Sequence, residues 1–574
     1  MLGRLSKYII YDEKSLKREF VLKEIKTPEC DKVKNTASMD TFGKERFRDY
    51  FKECPEDDQF LKDPISDDLE HNKSVMKKIY NIPENSDIAY REFNITVRDE
   101  NYKAFILFID GMTDRGVISN NILQPLMLFS NLDIKEEARD IGEFIFNRLI
   151  PFNQIKKVKD FKELVSDVNF GGCAIFVDGL EYAYAADTKN WDHRSVGPPR
   201  SETVIRGPQE AFNEQVRANT ALLRKILKDK DLTAENISIG KRSNTPCAVM
   251  YIRDIANESL VEEVVKRVKS IKVDYIFDSG ELEQLLEDNT FLTAPQIFAT
   301  ERPDMVARML SQGSIAVILD GSPYVLVMPA TITEFLSTPE DINIRFPYVN
   351  FIRIIRILGV GIALLLPGLY IAITNYHQEM IPTNLLFAIE ASREIVPFPT
   401  VVEILVMEFS FELIREAGIR IPGAIGSTIG IVGGLILGQA AVTANLVSPI
   451  LIIIVAITAL GSFAIPSFSM SFSIRIIRFG YIILAAVAGF FGVALGIVLQ
   501  ALLLASSKSF GVPFLTPFGP VTNGKYSDRL LRKPMWKQES RPDYLNPKDV
   551  KKQPEVSRGW TISETEEEGD EEDE

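Results

Sequence analysis

The sequence predicts an α/β soluble N-terminal region of two subdomains, followed by an all-α polytopic membrane domain. Three observations lead to this prediction. The charged residues are segregated, because most lie before Arg356 or after Lys508 and the stretch between them is mostly apolar. Apolar runs before that stretch have the length of strands and end in Asp-Gly. Apolar runs within it are long enough to cross a bilayer as helices.

Three short runs of the N-terminal region share one form, an apolar segment that ends in Asp-Gly, a strong turn signal. They are Phe105 to Gly111, Cys173 to Gly179 and Ile315 to Gly321, and Ala248 to Ile252 is a fourth strand candidate. Helical patterns lie between them, and this alternation predicts an α/β region. No Gly-rich phosphate loop follows these strands, so turn geometry is favoured over a phosphate or metal site.

Shifts in composition divide the chain into segments, with a Pro-, Arg- and Gly-rich break at Asp187 to Pro208 between the two subdomains. The predicted segments are a partly disordered polar leader at 1–80, α/β subdomains at 81–195 and 196–345, a membrane domain at 351–506, and a disordered charged tail at 521–574. The tail prediction rests on acidic residues, which make up nine of the last eleven positions and cannot bury a core.

The membrane domain contains uncharged apolar runs of about 18 residues or more, enough to cross a hydrocarbon core of about 30 Å. The runs are Ile357 to Thr374, Ile425 to Val442, Pro449 to Pro466 and Phe479 to Leu504. Four such runs within one stretch predict four to five crossing or re-entrant helices.

Residues 383–420 are apolar but carry several Glu and Arg residues, so they lie at the membrane interface, re-enter the membrane or pack inside an assembly. If the soluble region is inside, placing Arg475 and Arg478 inside as well requires an even number of crossings before them. Three clear runs precede them. Either 383–420 crosses once, or the positive-inside rule is broken in this short loop.

Small residues in the second apolar run predict close helix packing, because GxxxG spacing lets helix backbones approach. The pore-lining or helix-packing candidates are Gly426, Gly430, Gly433, Gly434, Gly438 and Gln439. Packing within one subunit and packing around the pore of an oligomer both remain open for this run.

A second set of candidates concerns gating or a hinge. Pro397 and Pro399 break a helix near the membrane face, either as a hinge or as a structural turn. Glu408 and Glu412 lie four residues apart on one helical face, and Arg415 follows Glu412 at i+3.

The sequence argues against several functional classes. The formal net charge of −14 argues against nucleic acid as a partner. The chain contains no HExxH, GxSxG or P-loop motif, which predicts a protein that is not an enzyme. Four cysteines without a CxxC pair and only three histidines predict no metal site, and no cofactor is expected.

Residues 170–520 resemble the A subunits of spore germination receptors, the GerA family. The motifs that carry the resemblance are Glu202-Thr-Val-Ile-Arg-Gly-Pro-Gln-Glu-Ala-Phe-Asn-Glu214, Gly240-Lys-Arg-Ser243, Asp278-Ser-Gly-Glu-Leu-Glu283, Pro295-Gln-Ile-Phe-Ala-Thr-Glu-Arg-Pro303, Asp320-Gly-Ser-Pro323, His377-Gln-Glu-Met-Ile-Pro382, Ser392-Arg-Glu394, Pro397-Phe-Pro399, Glu412-Leu-Ile-Arg-Glu-Ala-Gly418 and Ser509-Phe-Gly-Val-Pro513.

The resemblance implies a multi-pass receptor subunit of the spore inner membrane, with its N-terminal region facing the spore core. It implies a permease-like B subunit and a lipoprotein C subunit as partners, a homo-oligomer in contact with membrane lipid, and a ligand-gated ion-release channel that triggers germination. Two alternatives stay open: a membrane transport protein without a receptor role, and a paralogue of the family that modulates ion release.

Overall fold

The computed structural model describes residues 20, 22–23, 64–97, 100–128, 141–151, 154–189, 197–199, 201–420, 434, 436–519 and 531–553. Its strands form two five-stranded sheets and one two-stranded ribbon. The strands are β1 (Ile88–Val97), β2 (Glu100–Ile109), β3 (Ile155–Val158), β4 (Cys173–Val177), β5 (Ala183–Ala186), β6 (Leu232–Ile239), β7 (Thr245–Ile252), β8 (Phe298–Thr300), β9 (Ile315–Leu319), β10 (Val325–Met328), β11 (Lys508–Ser509) and β12 (Val512–Pro513).

The two large sheets have the same topology, β1-β2-β4-β5-β3 and β6-β7-β9-β10-β8, and neighbouring strands are antiparallel. The predicted strands are confirmed as parts of β2, β4, β7 and β9. The three Asp-Gly turns place Gly111, Gly179 and Gly321 at φ of 86°, 82° and 92°. This left-handed region favours glycine, so turn geometry accounts for the repeated dipeptide.

Helices cover both faces of each sheet. They are α1 (Leu69–Ile79), α2 (Arg115–Val117), α3 (Gln124–Leu128), α4 (Ile141–Phe144), α5 (Phe161–Asn169), α6 (Val216–Ile226), α7 (Glu258–Ser270), α8 (Ser279–Leu286), α9 (Pro303–Leu310), α10 (Ile332–Leu336) and α11 (Glu340–Asn343), with π-helical turns at Ile118–Leu123 and Ile145–Leu149. Asn257 and Asp278 cap α7 and α8 by accepting from backbone N–H groups two residues on. Each sheet therefore has a separate apolar core on either face.

Packed structure begins earlier in the chain than the predicted leader allows. Pro64 pairs with Asp160, and α1 buries Val75 and Met76 against the first sheet. Residues 64–80 thus belong to the first subdomain. The remainder of the predicted leader lies outside the described residues, apart from a short piece whose Leu22 joins the core of the second subdomain.

The C-terminal part of the chain is helical and apolar. Its helices are α12 (Phe346–Tyr376), α13 (Thr383–Arg393), α14 (Thr400–Arg420), α15 (436–443), α16 (Pro449–Phe463) and α17 (Phe468–Ser506). Helix α12 continues through Pro367. An α/β region followed by an apolar all-α region confirms the predicted fold class.

Helix α17 contains a sharp reversal. Gly489 has φ 56° and ψ −136°, which are not helical values. Tyr481 donates to Gln500 Oε1 at 2.7 Å across the bend, and a Cβ added to Gly492 would lie 2.0 Å from the Leu484 carbonyl oxygen. The two arms, 468–488 and 490–506, therefore fold back on each other as a helical hairpin.

The end of the chain returns to the second sheet. Ser509 donates to the Gln296 carbonyl, and Asn257 donates to the carbonyl of Asn546. Leu545 is buried in the core of this subdomain. The prediction of a disordered tail over 521–574 is wrong for residues 531–553, because apolar and Arg residues among them have partners in the folded domain. The acidic residues after 553 lie outside the described part.

Candidate functional site

Buried charges link α14 to the first arm of α17. Arg478 Nη2 lies 2.9 Å from Glu408 Oε2, and these side chains are 4% and 2% exposed. One turn away Arg475, 4% exposed, pairs with Glu412. The Glu spacing of four residues puts both carboxylates on one face of α14, and the Arg spacing of three matches it on α17. The sequence analysis named these Glu residues but assigned them no partner on another helix.

The third charged candidate on α14 takes a different role from the one its spacing suggested. Arg415 was placed beside Glu412 at i+3. In the structure it donates from Nη2 to Ser462 Oγ at 2.8 Å, and its guanidinium lies 4.6 Å from the ring centre of Phe463. Arg415 therefore connects α14 with α16.

The proline candidates lie between two helices. Helix α13 ends at Arg393 and α14 begins at Thr400, so Pro397 and Pro399 occupy the connection. Thr400 donates to Asn375 Oδ1 at 3.2 Å, which ties the start of α14 to the end of α12. The placement agrees with a helix break, and the hinge role stays a prediction.

The glycine candidates divide into two groups. Gly426, Gly430 and Gly433 lie outside the described residues. A Cβ added to Gly434 would meet Phe411 at 3.7 Å and one on Gly438 would meet Ile452 at 3.8 Å, which are ordinary contacts. The helices that the structure describes therefore do not require glycine at these two positions. Gln439 has an exposed side chain on α15, and its carbonyl accepts from Thr443.

Close helix packing occurs at glycines that the sequence analysis did not single out. A Cβ on Gly461 would lie 2.8 Å from the Gly359 carbonyl oxygen, and one on Gly368 would lie 3.2 Å from that of Tyr481. These contacts join α12 to α16 and α17. The missed signal was glycine outside any GxxxG repeat, in the runs Ile357 to Thr374 and Pro449 to Pro466.

A charged cluster at the junction of the two regions was also missed. Asp341 is 2% exposed and lies 3.0 Å from Arg353 and 2.9 Å from Arg356, both in the first turns of α12. Arg532 from the C-terminal segment donates to the Asp341 carbonyl. The carboxylate of Asp341 thus fastens the second subdomain to α12, and its backbone carbonyl holds the C-terminal segment. The sequence signal was an Asp shortly before an apolar helix that begins with two Arg residues.

The helical region has the composition of membrane helices. Helices α12 and α17 have mean hydropathy of 2.2 and 2.7 and are long enough to cross a bilayer, and α16 is a shorter apolar helix. Within the described part of the chain, no group of three or more His, Cys, Asp or Glu residues could hold a metal ion. The fold and these charged helices define a membrane-associated protein with a soluble α/β region.

Comparison with known proteins identifies the family. The family model described as Bacillus/Clostridium GerA spore germination protein matches residues 74–544. Spore germination protein KA of Bacillus subtilis is 40% identical over 510 residues, covering 88% of this chain and 92% of that protein. An uncharacterised membrane protein of the same organism, YfkQ, is 35% identical over 482 residues, covering 83% and 91%. The chain belongs to the GerA family of spore germination proteins.

A solved structure is also similar. The crystal structure of the N-terminal domain of the A subunit of the Bacillus megaterium spore germinant receptor GerK3 is 32% identical, with a TM-score of 0.36. The match covers 47% of this chain and 98% of that one.

Proposed function

We propose that this protein is the A subunit of a spore germinant receptor and that its copies form an oligomeric, ligand-gated ion-release channel. The observation that carries the proposal is the pairing of Glu408 with Arg478 and Glu412 with Arg475 inside otherwise apolar helices. Ionisable groups within membrane helices are costly and mark ion pathways, proton relays or sensors. Nothing in this arrangement resembles a catalytic site, so the proposed role is not enzymatic.

Contacts between helices support a multi-pass topology. Helix α12 starts beside the second subdomain, and its end lies beside the start of α14, where Thr400 donates to Asn375. The first arm of α17 runs opposite to α14, since Arg475 meets Glu412 and Arg478 meets Glu408. The chain then returns to the second subdomain at Ser509, and this return requires an even number of crossings. We propose that α14 is one of these crossings, and Arg residues near the soluble region favour a cytoplasmic, spore-core location for that region.

The glycines of α15 and its preceding residues supply a candidate surface for the oligomer. Among the described residues, a Cβ at Gly434 or Gly438 would make only ordinary contacts, which leaves these positions available for packing against another subunit. We assign them to packing around the pore, together with Gly426, Gly430, Gly433 and Gln439. The proposed partners are the permease-like B subunit and the lipoprotein C subunit in the spore inner membrane, with lipid around the oligomer.

The similarity to an uncharacterised membrane protein favours keeping a second candidate, a family paralogue that modulates ion release. A transport protein without a receptor role is a third. These functions differ in what crosses the membrane and in what triggers it.

Ion flux from liposomes tests the proposal. The full chain is reconstituted with and without B and C subunits, and efflux of entrapped K⁺ is recorded for the wild type and Glu408→Gln. We expect liposomes with the wild type to retain K⁺ and liposomes with Glu408→Gln to leak K⁺ constitutively, because the pair that holds α14 against α17 is broken. Asp87→Asn, which breaks a buried pair in the soluble region, should not leak.

Two outcomes would count against the channel. If Glu408→Gln inserts and folds but stays as tight as the wild type, the pair does not hold a pore closed. If flux saturates with one solute and needs neither partner, the transport alternative replaces the receptor.

A further inference from the structure

Helix α14 carries a second buried carboxylate besides Glu408, in surroundings that differ from those of the two paired Glu residues. Glu403 is 1% exposed, and its Oε2 accepts from the backbone N–H of Ser448 at 3.0 Å. Its Oε1 is fully buried and has no hydrogen-bond partner among the described residues. A carboxylate in this condition costs free energy unless a positive charge or a proton neutralises it.

The neighbouring elements do not supply that charge. No Lys, Arg or His nitrogen of the described chain lies within 4.0 Å of Glu403, whereas Glu408 and Glu412 each have an Arg partner. Arg393 acts on Glu403 electrostatically but forms no ion pair with it in the described part. The stretch 421–433, which is outside the described residues, contains no Lys, Arg or His.

Other polar groups face the same position. Tyr370 of α12 is 7% exposed, and its hydroxyl lies beside Ser448 and Glu403. Ser448 is the N-cap of α16, whose helix dipole adds about half a positive charge near the carboxylate. The helix dipole and the Ser448 N–H therefore compensate the negative charge of the buried Glu403 carboxylate only in part.

We propose that Glu403, with Tyr370, forms a binding site for one small monovalent cation, either an alkali ion or a proton, where α12, α14 and α16 meet. A single charge balances the single carboxylate, whereas a divalent ion would leave a net positive charge buried. The inference deepens the proposed function, since it gives each subunit an ion site of its own. The site is inferred from the burial of Glu403 within the chain, so the inference does not require that the protein conducts ions.

Thermal unfolding of the purified full chain in detergent micelles tests the site. One series compares K⁺, Na⁺ and N-methyl-D-glucamine at fixed pH and ionic strength, and another varies pH at fixed salt. A cation bound only by the folded state raises the Tm. An alkali ion should raise the wild-type Tm by about 2–4 °C over the organic cation, a shift that corresponds to a modest affinity.

Proton binding gives a different signature. If the folded state takes up the proton, the wild-type Tm rises as pH falls and does not depend on the alkali ion. Glu403→Gln, which is neutral and of the same shape, should lose whichever response the wild type shows. Glu390→Gln, at an exposed carboxylate of α13, is the matched control and should keep it.

Two results would overturn the site. One is a wild-type Tm that responds to neither cation nor pH. The other is a Glu403→Gln response equal to that of the wild type. A Tm that depends on the cation, together with no K⁺ flux in liposomes, would support the site and contradict the channel function.

Discussion

Two buried Arg–carboxylate pairs, one in each region, differ in how completely their polar atoms are satisfied. In the soluble region Arg224 donates to Asp87 through Nε at 2.5 Å and Nη2 at 2.6 Å, and Nη2 also reaches Asn85 at 3.1 Å. In the helical region Arg478 meets Glu408 through one contact of 2.9 Å. Glu408 Oε1 and Arg478 Nε have no hydrogen-bond partner in the described part of the chain.

The difference teaches what each pair is suited to do. A bidentate pair is strong and specifies one geometry, so Arg224 and Asp87 fix the two subdomains as one unit. A pair held by one contact leaves donors and acceptors that another arrangement could satisfy. We infer that the contact between α14 and α17 is the one built to change, as gating requires.

The largest expected effect is at the soluble pair. Asp87→Asn leaves the Arg224 charge buried without its carboxylate, and we expect a loss of about 3–5 kcal/mol of unfolding free energy. A double-mutant cycle with Arg224→Met, followed by chemical unfolding of the full chain in micelles, measures the coupling. A coupling near zero would mean that the two subdomains are joined by other contacts.

The same cycle at the helical pair should give a smaller value. Glu408→Gln and Arg478→Gln each break one contact, and we expect a coupling of about 1–3 kcal/mol, as for buried hydrogen bonds to charged groups. The quantity of interest is the difference between the coupling free energies of the two cycles, measured under identical conditions. A helical coupling that equals or exceeds the soluble one would contradict the inference that this contact is the changeable one.

Two glycine substitutions give the smallest effect and sharpen the comparison within the helices. Gly461→Leu forces a side chain against the Gly359 backbone and should cost about 1–3 kcal/mol, seen as lower abundance. At Gly434 the nearest side chain among the described residues is Phe411, at an ordinary contact distance, so Gly434→Leu should leave abundance unchanged. In spores it should nevertheless alter ion release, either as a leak or as no response.

The outcome for Gly434→Leu decides between two locations for the pore. Normal abundance with normal ion release would mean that the helix of Gly434 does not line the pore. The candidate pore-lining helix would then be Phe479 to Leu504. Reduced abundance alone would assign Gly434 to packing within the subunit, as the sequence analysis left open.

Local patterns predicted much of the fold and part of the candidate site. Alternating strand and helix patterns with Asp-Gly turns located β2, β4 and β9, because turn geometry is encoded by adjacent residues. Charge spacing on α14 identified Glu408 and Glu412 as members of one face. The reversal at Gly489 was missed, because glycine is common in membrane helices and one more gives no local signal.

The sequence by itself determined where apolar surface must be buried and which backbone positions need glycine, since hydrophobic burial and φ limits act on each residue and its neighbours. Only the tertiary structure decided which charges meet. Arg478 lies 70 residues after Glu408 along the chain, and Arg532 reaches Asp341 from the C-terminal segment. Glu403 Oε1 finds no hydrogen-bond partner among the described residues. Electrostatic interactions depend on distance in space and on burial, and neither is encoded by residue spacing along the chain.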